Sequence, residues 1–462
     1  MMSIGGKVTN PSNLSGVKMP VQAARKMAGG AAMALTLAIG ALAFAGTPAA
    51  AQRNTAPAAA EIGNSITAFY RSRGGAPLWF APTSGASVQQ LLLLLSTAQA
   101  DGLNPNRYRV RNLTRAVRAA ASRNPAAVQR AEVMLSEAFV AYARDQKRDP
   151  NVGIIYVDAE VRPAPPSPGA LLAQLASAPS RAKYVEQMGW MSPVYAQLRR
   201  ALASRQYGNE HQRRLLAVNL DRARALPSGS HRYVVVNPAA QRLYMYENGA
   251  VVDYMRVVAG KPSPQIAQTP MMSALIRFAV LNPYWNAPPD LTAQRLAPNV
   301  LKQGRGYLKA KGYQVMSDWS ENARVVDPGT VDWKAVVAGR RPDFRLRQLP
   351  GPANSMGRMK FMFPNKQGIW LHDTPQKEVL EEAARLQSNG CVRLEDAARF
   401  SRWLFGRPLR AQGARPEQRV ALPKPVPIYI TYLTAVPSGS SIVYFEDVYG
   451  FDRRDAARLA SR

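Results

Sequence analysis

The spacing of apolar positions changes near residue 228, and the change divides the chain. Before it, apolar residues recur every three or four positions. "PAAVQRAEVMLSEAFVAYARDQK", residues 125–147, follows that period throughout and predicts an amphipathic helix. "SVQQLLLLLSTAQADGLNP", residues 87–105, predicts a core helix that stops at Gly102 with Pro105 beyond it. "QRRLLAVNLDRARALP" is one more helix, closed by Pro227, and Pro-rich "RPAPPSPG", residues 162–169, marks a loop. Residues 61–227 therefore read as a helical domain, a scaffold without chemistry of its own.

From Ser228 the runs are short and β-rich. "HRYVVVNPAAQRLYMYENGAVVDYMRVVAG", residues 231–260, holds three of them, turned at Asn237-Pro238 and at the hairpin signal Asn248-Gly249. "IRFAVLNPYWNAPP" ends a strand at Asn282-Pro283, and "KFMFPNKQGIWLHD" splits into two runs at Pro364-Asn365. "VPIYITYLTAV" and "SIVYFEDVYG" predict a last hairpin through Pro437-Ser438-Gly439-Ser440. Many short strands with tight turns predict a β-sandwich or closed-up sheet over 228–452, so the whole chain is of the α+β class. Residues 287–349 interrupt the pattern with helical and mixed segments. A mixed insertion of about sixty residues in a β domain suggests a lid or substrate wall. Residues 453–462 read as a C-terminal tail.

The N-terminus changes the compartment. Residues 1–51 carry Lys7, Lys18, Arg25 and Lys26 and no acid, then the apolar run "GGAAMALTLAIGALAFAG" and an Ala-x-Ala site ending at Ala51. That order predicts a secretory signal peptide, with an uncleaved anchor as the alternative, although the run falls short of the ~20 residues of a membrane span. Residues 52–60 read as a linker, and no later segment is long and apolar enough to span a bilayer. The net charge of +30 comes from 60 basic and 30 acidic residues, and removing the leader's four basic residues leaves +26. In an exported chain the polyanion that fits such charge is cell wall or membrane surface rather than nucleic acid. The arginines are scattered, as in "RVRNLTRAVRAAASR", so a solvated basic face is the plainer alternative.

Export sharpens the significance of the one cysteine, Cys391 in "QSNGCVRLED". It forms no internal disulfide, so it is an inert buried group, a link to another molecule, or a reactive thiol. A thiol needs a base or a positive neighbour to attack at neutral pH. Of the three histidines, His211, His231 and His372, the last ends a β-rich run in "IWLHDTP", nineteen residues before Cys391. The intervening "PQKEVLEEAARLQSNG" is expected to form a helix and a turn ending at Gly390, which lets a strand-end histidine meet a loop cysteine. Gly390 removes a side chain where backbone must approach a ligand. "VRLEDAARFSRWLFG" is expected to follow as a helix whose N-terminus lowers the thiol pKa.

The stretch "H-D-T-P…S-N-G-C-V-R-L" resembles the signature of the L,D-transpeptidases with a YkuD-type catalytic domain. "GKPSPQIAQTP", "LNPYWNAPP", "LPGPANSMGRMKFMFPN" and "YITYLTA" resemble blocks of the long, YcbB-like subgroup. "FYRSRGGAPLWF", "ADGLNPNRY" and "LSEAFVAYARD" are similar to that subgroup's N-terminal scaffold, so the likeness covers most of residues 62–452. Two departures stand out. Asn389 occupies a place where many members have histidine, and the chain runs almost straight from scaffold to catalytic domain, without room for the peptidoglycan-binding module of longer relatives.

The resemblance implies a peptidoglycan cross-linking acyltransferase of the periplasm, free of metal and cofactor. Cys391 would be the nucleophile and His372 its base, with the oxyanion held by backbone N–H groups of Cys391 and its neighbours and the loop shaped by Ser388, Asn389 and Gly390. The second imidazole nitrogen would be held by a backbone carbonyl, leaving Asp373 to cap the turn. Arg393 would bind a substrate carboxylate or, equally, pair with Glu395 or Asp396. Tyr284 and Trp285 would line the cleft or pack in the core. The implied partners are donor and acceptor stem peptides, with a carbapenem as acylating inhibitor, and neither nucleic acid nor a transmembrane segment after signal cleavage. The rival functions are an L,D-carboxypeptidase or cross-link hydrolase with the same site, and a non-catalytic wall scaffold.

Overall fold

The computed structural model describes residues 59–229, 231–262 and 268–460. The leader expected at 1–51 and the linker through residue 58 lie outside the described residues; the rest of that linker opens the first helix. No helix among the described residues is long and apolar enough to cross a membrane.

Eight helices come first: α1 (Ala59–Ser72), α2 (Ser87–Ser96), α3 (Val110–Ala120), α4 (Pro125–Gln146), α5 (Pro168–Ser177), α6 (Arg181–Glu186), α7 (Pro193–Ala203) and α8 (Glu210–Ala223). Three of them begin on the same two-residue signal. Asn124, Ser167 and Ser192 each accept a backbone N–H in the first turn, and Pro125, Pro168 and Pro193 follow at the first helical position, where no N–H is missed. The helical core also holds a polar centre. Asp101, 1% exposed, accepts from the hydroxyls of Tyr142 (2.7 Å) and Tyr195 (2.6 Å), from Gln146 Nε2 (3.0 Å) and from Arg199 Nε (3.1 Å).

The main strands are β1 (Ile155–Tyr156), β2 (Tyr233–Asn237), β3 (Arg242–Glu247), β4 (Ala250–Gly260), β5 (Met272–Leu281), and later β10 (Met359–Met362), β11 (Leu371–His372), β12 (Leu386–Ser388), β13 (Val392–Leu394) and β14 (Gln418–Ile430). They run in the order β1-β5-β10-β11-β13-β4-β3-β2-β14, with β12 off this path and paired with β4, and β14 also pairs with β5, so the sheet closes on itself. The β3–β4 turn uses Asn248 and Gly249, both at positive φ (50° and 80°), as the sequence signal requires. β14 shifts register between Ala421 and Val426, where Pro423 and Pro425 lack the N–H a ladder needs. Alternation on β2 joins the two halves of the molecule. Tyr233 and Val235 pack among the scaffold helices, whereas Val234 and Val236 face the catalytic core with Phe361, Leu371, Val392 and Phe400.

Residues 287–349 form the expected mixed insertion. With β6 (Trp285–Ala287) and β9 (Arg345–Gln348), strands β7 (Tyr313–Met316) and β8 (Val325–Val326) make a separate sheet in the order β6-β9-β7-β8. It carries α9 (Pro289–Leu291), α10 (Ala297–Gln303), α11 (Gly306–Ala310) and α12 (Trp333–Val337), with a small core of Leu296, Val300, Leu308, Trp333, Phe344 and Leu346.

Several expectations are corrected. Residues 376–389 form no helix beyond a single 3₁₀ turn at Glu378–Leu380. Arg256 holds Glu381 at 2.6 Å, and Ala259 N–H donates to Arg385 O (2.9 Å), so the segment is drawn onto the sheet edge as β12 instead. The segment after Cys391 is strand β13, and α13 (Ala397–Phe405) starts only after Asp396 caps it. Ile155–Tyr156, inside the helical half, adds a parallel strand to β5. The last hairpin joins β15 (Ala435–Ser438) to β16 (Ser441–Tyr444), while Val426–Ile430 belongs to the closed sheet. Of the tail expected at 453–462, the described residues 453–460 are no tail. They continue α14 (Phe451–Ala460), whose Asp452 and Asp455 clamp the buried Arg222 of α8.

Candidate active site

β11 and β13 lie parallel, with Leu371 opposite Val392 and His372 opposite Arg393. Leu371, Val392 and Leu394 turn into the core and are 0% exposed. Alternation puts His372, Arg393 and Cys391, one residue before the strand, on the other face. The sulfur and the imidazole are thus diagonal neighbours, a relation that leaves backbone positions roughly 7–8 Å apart and within side-chain reach.

The cysteine loop is tied on both sides. Ser388 pairs with Gly260 of β4, its hydroxyl donates to Cys391 O, and Lys261 N–H donates to Ser388 O (2.9 Å). Buried Thr269 links the same strands, donating to Gly390 O (2.8 Å) and accepting from Gly260 N–H (2.8 Å). Gly390 has φ 102°, open to glycine and strained for other residues. Val392 N–H is taken by Trp370 O (2.9 Å). Those of Gly390 and Cys391 have no acceptor among the described residues, so the loop keeps two candidate oxyanion donors rather than a longer run.

His372 is 4% exposed and its Nδ1 lies 2.6 Å from Asp373 O. A carbonyl only accepts, so Nδ1 carries the proton and Nε2 presents its lone pair. No described residue hydrogen-bonds Nε2. Burial, followed by the Arg393 charge, pushes the imidazole down to about 4, so it is neutral at neutral pH. Burial pushes the Cys391 thiol up to about 11 against the smaller opposing effects of the Trp370 amide and Arg393. The thiol donates to Gly368 O (3.4 Å) rather than to the imidazole. The expected lowering of the thiol pKa by a helix N-terminus is overturned, since strand β13 stands where that helix was expected to start. The Asp373 carboxylate accepts Arg358 N–H (2.9 Å) and pairs with Lys377 (2.8 Å), so it shapes the turn and leaves the imidazole to the backbone.

The two readings of Arg393 separate here. Glu395 is bound to Arg256 (2.7 Å) and Asp396 caps α13 through Arg399 N–H (2.8 Å), so neither pairs with Arg393. Among the described residues its side-chain partner is Gln376 Oε1 at 3.1 Å. A cleft of about 280 Å³ opens between the catalytic strands and the insertion, lined by Trp285, Arg295, Tyr307, Lys311, Asn389 and Arg393 among others. Cys391 stands between two of these residues, Asn389 and Arg393. Trp285 is therefore on the cleft. Tyr284 is not; its N–H donates to Glu417 (2.6 Å) and its ring lies under Arg347 at 4.4 Å. The sequence reading missed Thr269, Gln376, Arg295 and Lys311; Thr269 and Gln376 stood in quoted blocks, and nothing there marked Thr269 as a partner of Gly390 or Gln376 as a partner of Arg393. Among the described residues no group of three or more His, Cys, Asp or Glu side chains is placed to hold a metal.

Residues 231–415 match the family model described as the L,D-transpeptidase catalytic domain, YkuD, and residues 64–202 match the one described as the Scaffold domain. The chain carries a YkuD-type L,D-transpeptidase catalytic domain behind a helical scaffold domain, and the described residues 204–229 between the two matches are α8 and its connections. A curated Haemophilus influenzae protein named "Putative L,D-transpeptidase" is 29% identical over 246 residues, 52% of this chain and 48% of that protein. The chain thus matches about half the length of that relative. The solved structure of Bdellovibrio bacteriovorus Bd1075 aligns with a TM-score of 0.17 and 14% identity over 50% of this chain and 56% of that one, too slight a likeness to bear on the fold.

Proposed function

We propose that this protein is a periplasmic peptidoglycan L,D-transpeptidase acting through a Cys391 acyl-enzyme. The observation that carries the reading is the pinned imidazole: Nδ1 is committed to Asp373 O, and the free Nε2 lies on the same sheet face as the thiol. With a neutral thiol and a neutral imidazole the attack is general-base catalysed. Nε2 takes the thiol proton as Sγ adds to the carbonyl at the L-centre of diaminopimelate in a tetrapeptide stem. The N–H groups of Gly390 and Cys391 hold the oxyanion. Collapse breaks the bond to D-Ala, whose amine leaves with the proton from the imidazolium. An amine of a neighbouring stem then attacks the thioester, gives its proton to Nε2, and leaves as the cross-linked product while the thiol is regenerated. The insertion over the cleft limits water and favours the amine. A carbapenem acylates the same sulfur.

Mass spectrometry of products from purified disaccharide-tetrapeptide tests the reading. Stem dimers together with free D-Ala are expected. D-Ala without dimers turns the assignment into a carboxypeptidase, and unchanged substrate leaves a non-catalytic wall protein.

A further inference from the structure

The cleft lined by Asn389 and Arg393, the residues that flank Cys391 in sequence, holds three cations and no carboxylate among its lining residues. Arg393 comes from the catalytic strand, and Arg295 and Lys311 come from the insertion. None of the three pairs with an acid among the described residues; Arg295 and Lys311 are exposed, whereas the buried Arg199 and Arg222 are each bound to an aspartate. Arg393 is half-buried, and among the described residues its side chain is held by Gln376. Burial, with Arg295 as the next contributor, lowers its pKa, which places the two guanidiniums within reach of each other's field. Like charges facing across a cleft repel unless an anion lies between them. The local backbone agrees. Arg295 sits in a π-helical turn, Thr292–Leu296, between α9 and α10. Such turns are rare and concentrate at functional sites, where the extra residue re-aims a side chain.

We infer that Arg295 of the insertion and Arg393 of the catalytic strand together read a free carboxylate on the stem peptide, with Lys311 as a supporting charge, so that the substrate itself bridges cap and catalytic domain. The inference rests on the transpeptidase reading and adds a specificity-determining residue to it. The carboxylate that fits is one the donor keeps through the reaction, such as that on the diaminopimelate side chain. The terminal carboxylate departs with D-Ala. The site therefore discriminates a free carboxylate from its carboxamide. A carboxamide still accepts hydrogen bonds but lacks the charge, and charge-assisted hydrogen bonds are about twice as strong as neutral ones.

The test compares two synthetic tetrapeptide donors, one with the diaminopimelate side-chain carboxylate free and one with it amidated. The full chain is used as wild type, Arg295→Gln and Arg295→Lys. The wild type is expected to favour the free acid in kcat/KM by roughly tenfold to a hundredfold, the scale of one charge-assisted contact. Arg295→Gln should shrink that ratio to near unity through loss on the free acid alone, and Arg295→Lys should restore part of it. A ratio unchanged in Arg295→Gln overturns the inference, as does an equal loss on both donors. Calorimetric binding of the same peptides to Cys391→Ala separates this from the reaction itself. A charge preference in binding that Arg295→Gln removes supports the carboxylate site even if no cross-link ever forms. Absence of any preference overturns the site while leaving the transpeptidase reading intact.

Discussion

Two centres in this molecule bury charge-capable groups to nearly the same depth and treat them in opposite ways. Arg222, at the junction of α8 and α14, is 0% exposed and held between two carboxylates: Nε reaches Asp455 at 2.9 Å, and Nη1 reaches Asp452 at 2.6 Å and Tyr432 O at 2.8 Å. His372 is 4% exposed, with one nitrogen fixed and the other left free beside a thiol whose own hydrogen bond is long. A buried group kept for structure has its hydrogen-bonding capacity filled, because each vacancy costs stability. A buried group kept for chemistry has one vacancy, and the surrounding backbone holds the vacancy in place. The Asp101 centre in the scaffold follows the first pattern, and the unpaired Arg393 follows the second.

The sharpest way to break the contrast is at the sulfur. Cys391→Ala is expected to lose all cross-linking in the product assay while its thermal unfolding midpoint stays that of the wild type. His372→Gln keeps a polar ring-sized group and removes the base; turnover should fall about 10²–10⁴-fold, the usual worth of general-base catalysis, in the same assay. Arg222→Ala tests the other centre. It leaves Asp452 and Asp455 buried without their cation, and chemical denaturation should show a loss of ~3–5 kcal/mol with kcat per folded molecule unchanged.

Acid distinguishes the centres more gently. The folded pKa of His372, about 4, lies below its ordinary 6.5, so between those values the unfolded chain binds more protons than the folded one. Stability is then whole above pH 6.5 and falls as the pH drops through 4. The loss comes to about 3 kcal/mol at 1.36 kcal/mol per pKa unit, and His372→Gln should remove that part of the acid dependence in denaturation curves. The smallest effect belongs to the loop's anchor. Thr269→Val leaves Gly260 N–H and Gly390 C=O unpaired, at a cost of about 1–3 kcal/mol spread between stability and kcat. Thr269→Ser should recover most of it in both measurements.

The candidate pair Cys391 and His372 stands out in the sequence through rarity: one cysteine, three histidines, and a glycine before the sulfur. The hairpin at Asn248-Gly249 and the helix opening at Pro125 are legible because their signals act within a few residues. What escaped the sequence depends on contacts between distant residues. The Thr269 to Gly390 bond joins positions 121 apart, and the Arg256 to Glu381 and Glu395 bonds that favour β12 over a helix span more than a hundred residues. "KEVLEEAARLQ" has helical composition, yet those ion pairs and the sheet edge outweigh a propensity worth only tenths of a kcal/mol per residue. The thiol pKa was misjudged for a related reason. It rested on a helix expected after Cys391, whereas burial decides it, against the smaller opposing effects of the Trp370 amide and Arg393.

The central claim is that this thiol, neutral at rest, becomes an acyl carrier through the free nitrogen of His372. Intact-protein mass spectrometry after mixing with tetrapeptide stem, with peptide mapping of any adduct, tests it most directly. The account predicts a mass gain equal to the stem less D-Ala, located on Cys391, strongly diminished in His372→Gln and absent in Cys391→Ala. An unmodified protein whose assay nevertheless shows cross-linked product, or an adduct mapped to any other residue, would contradict it.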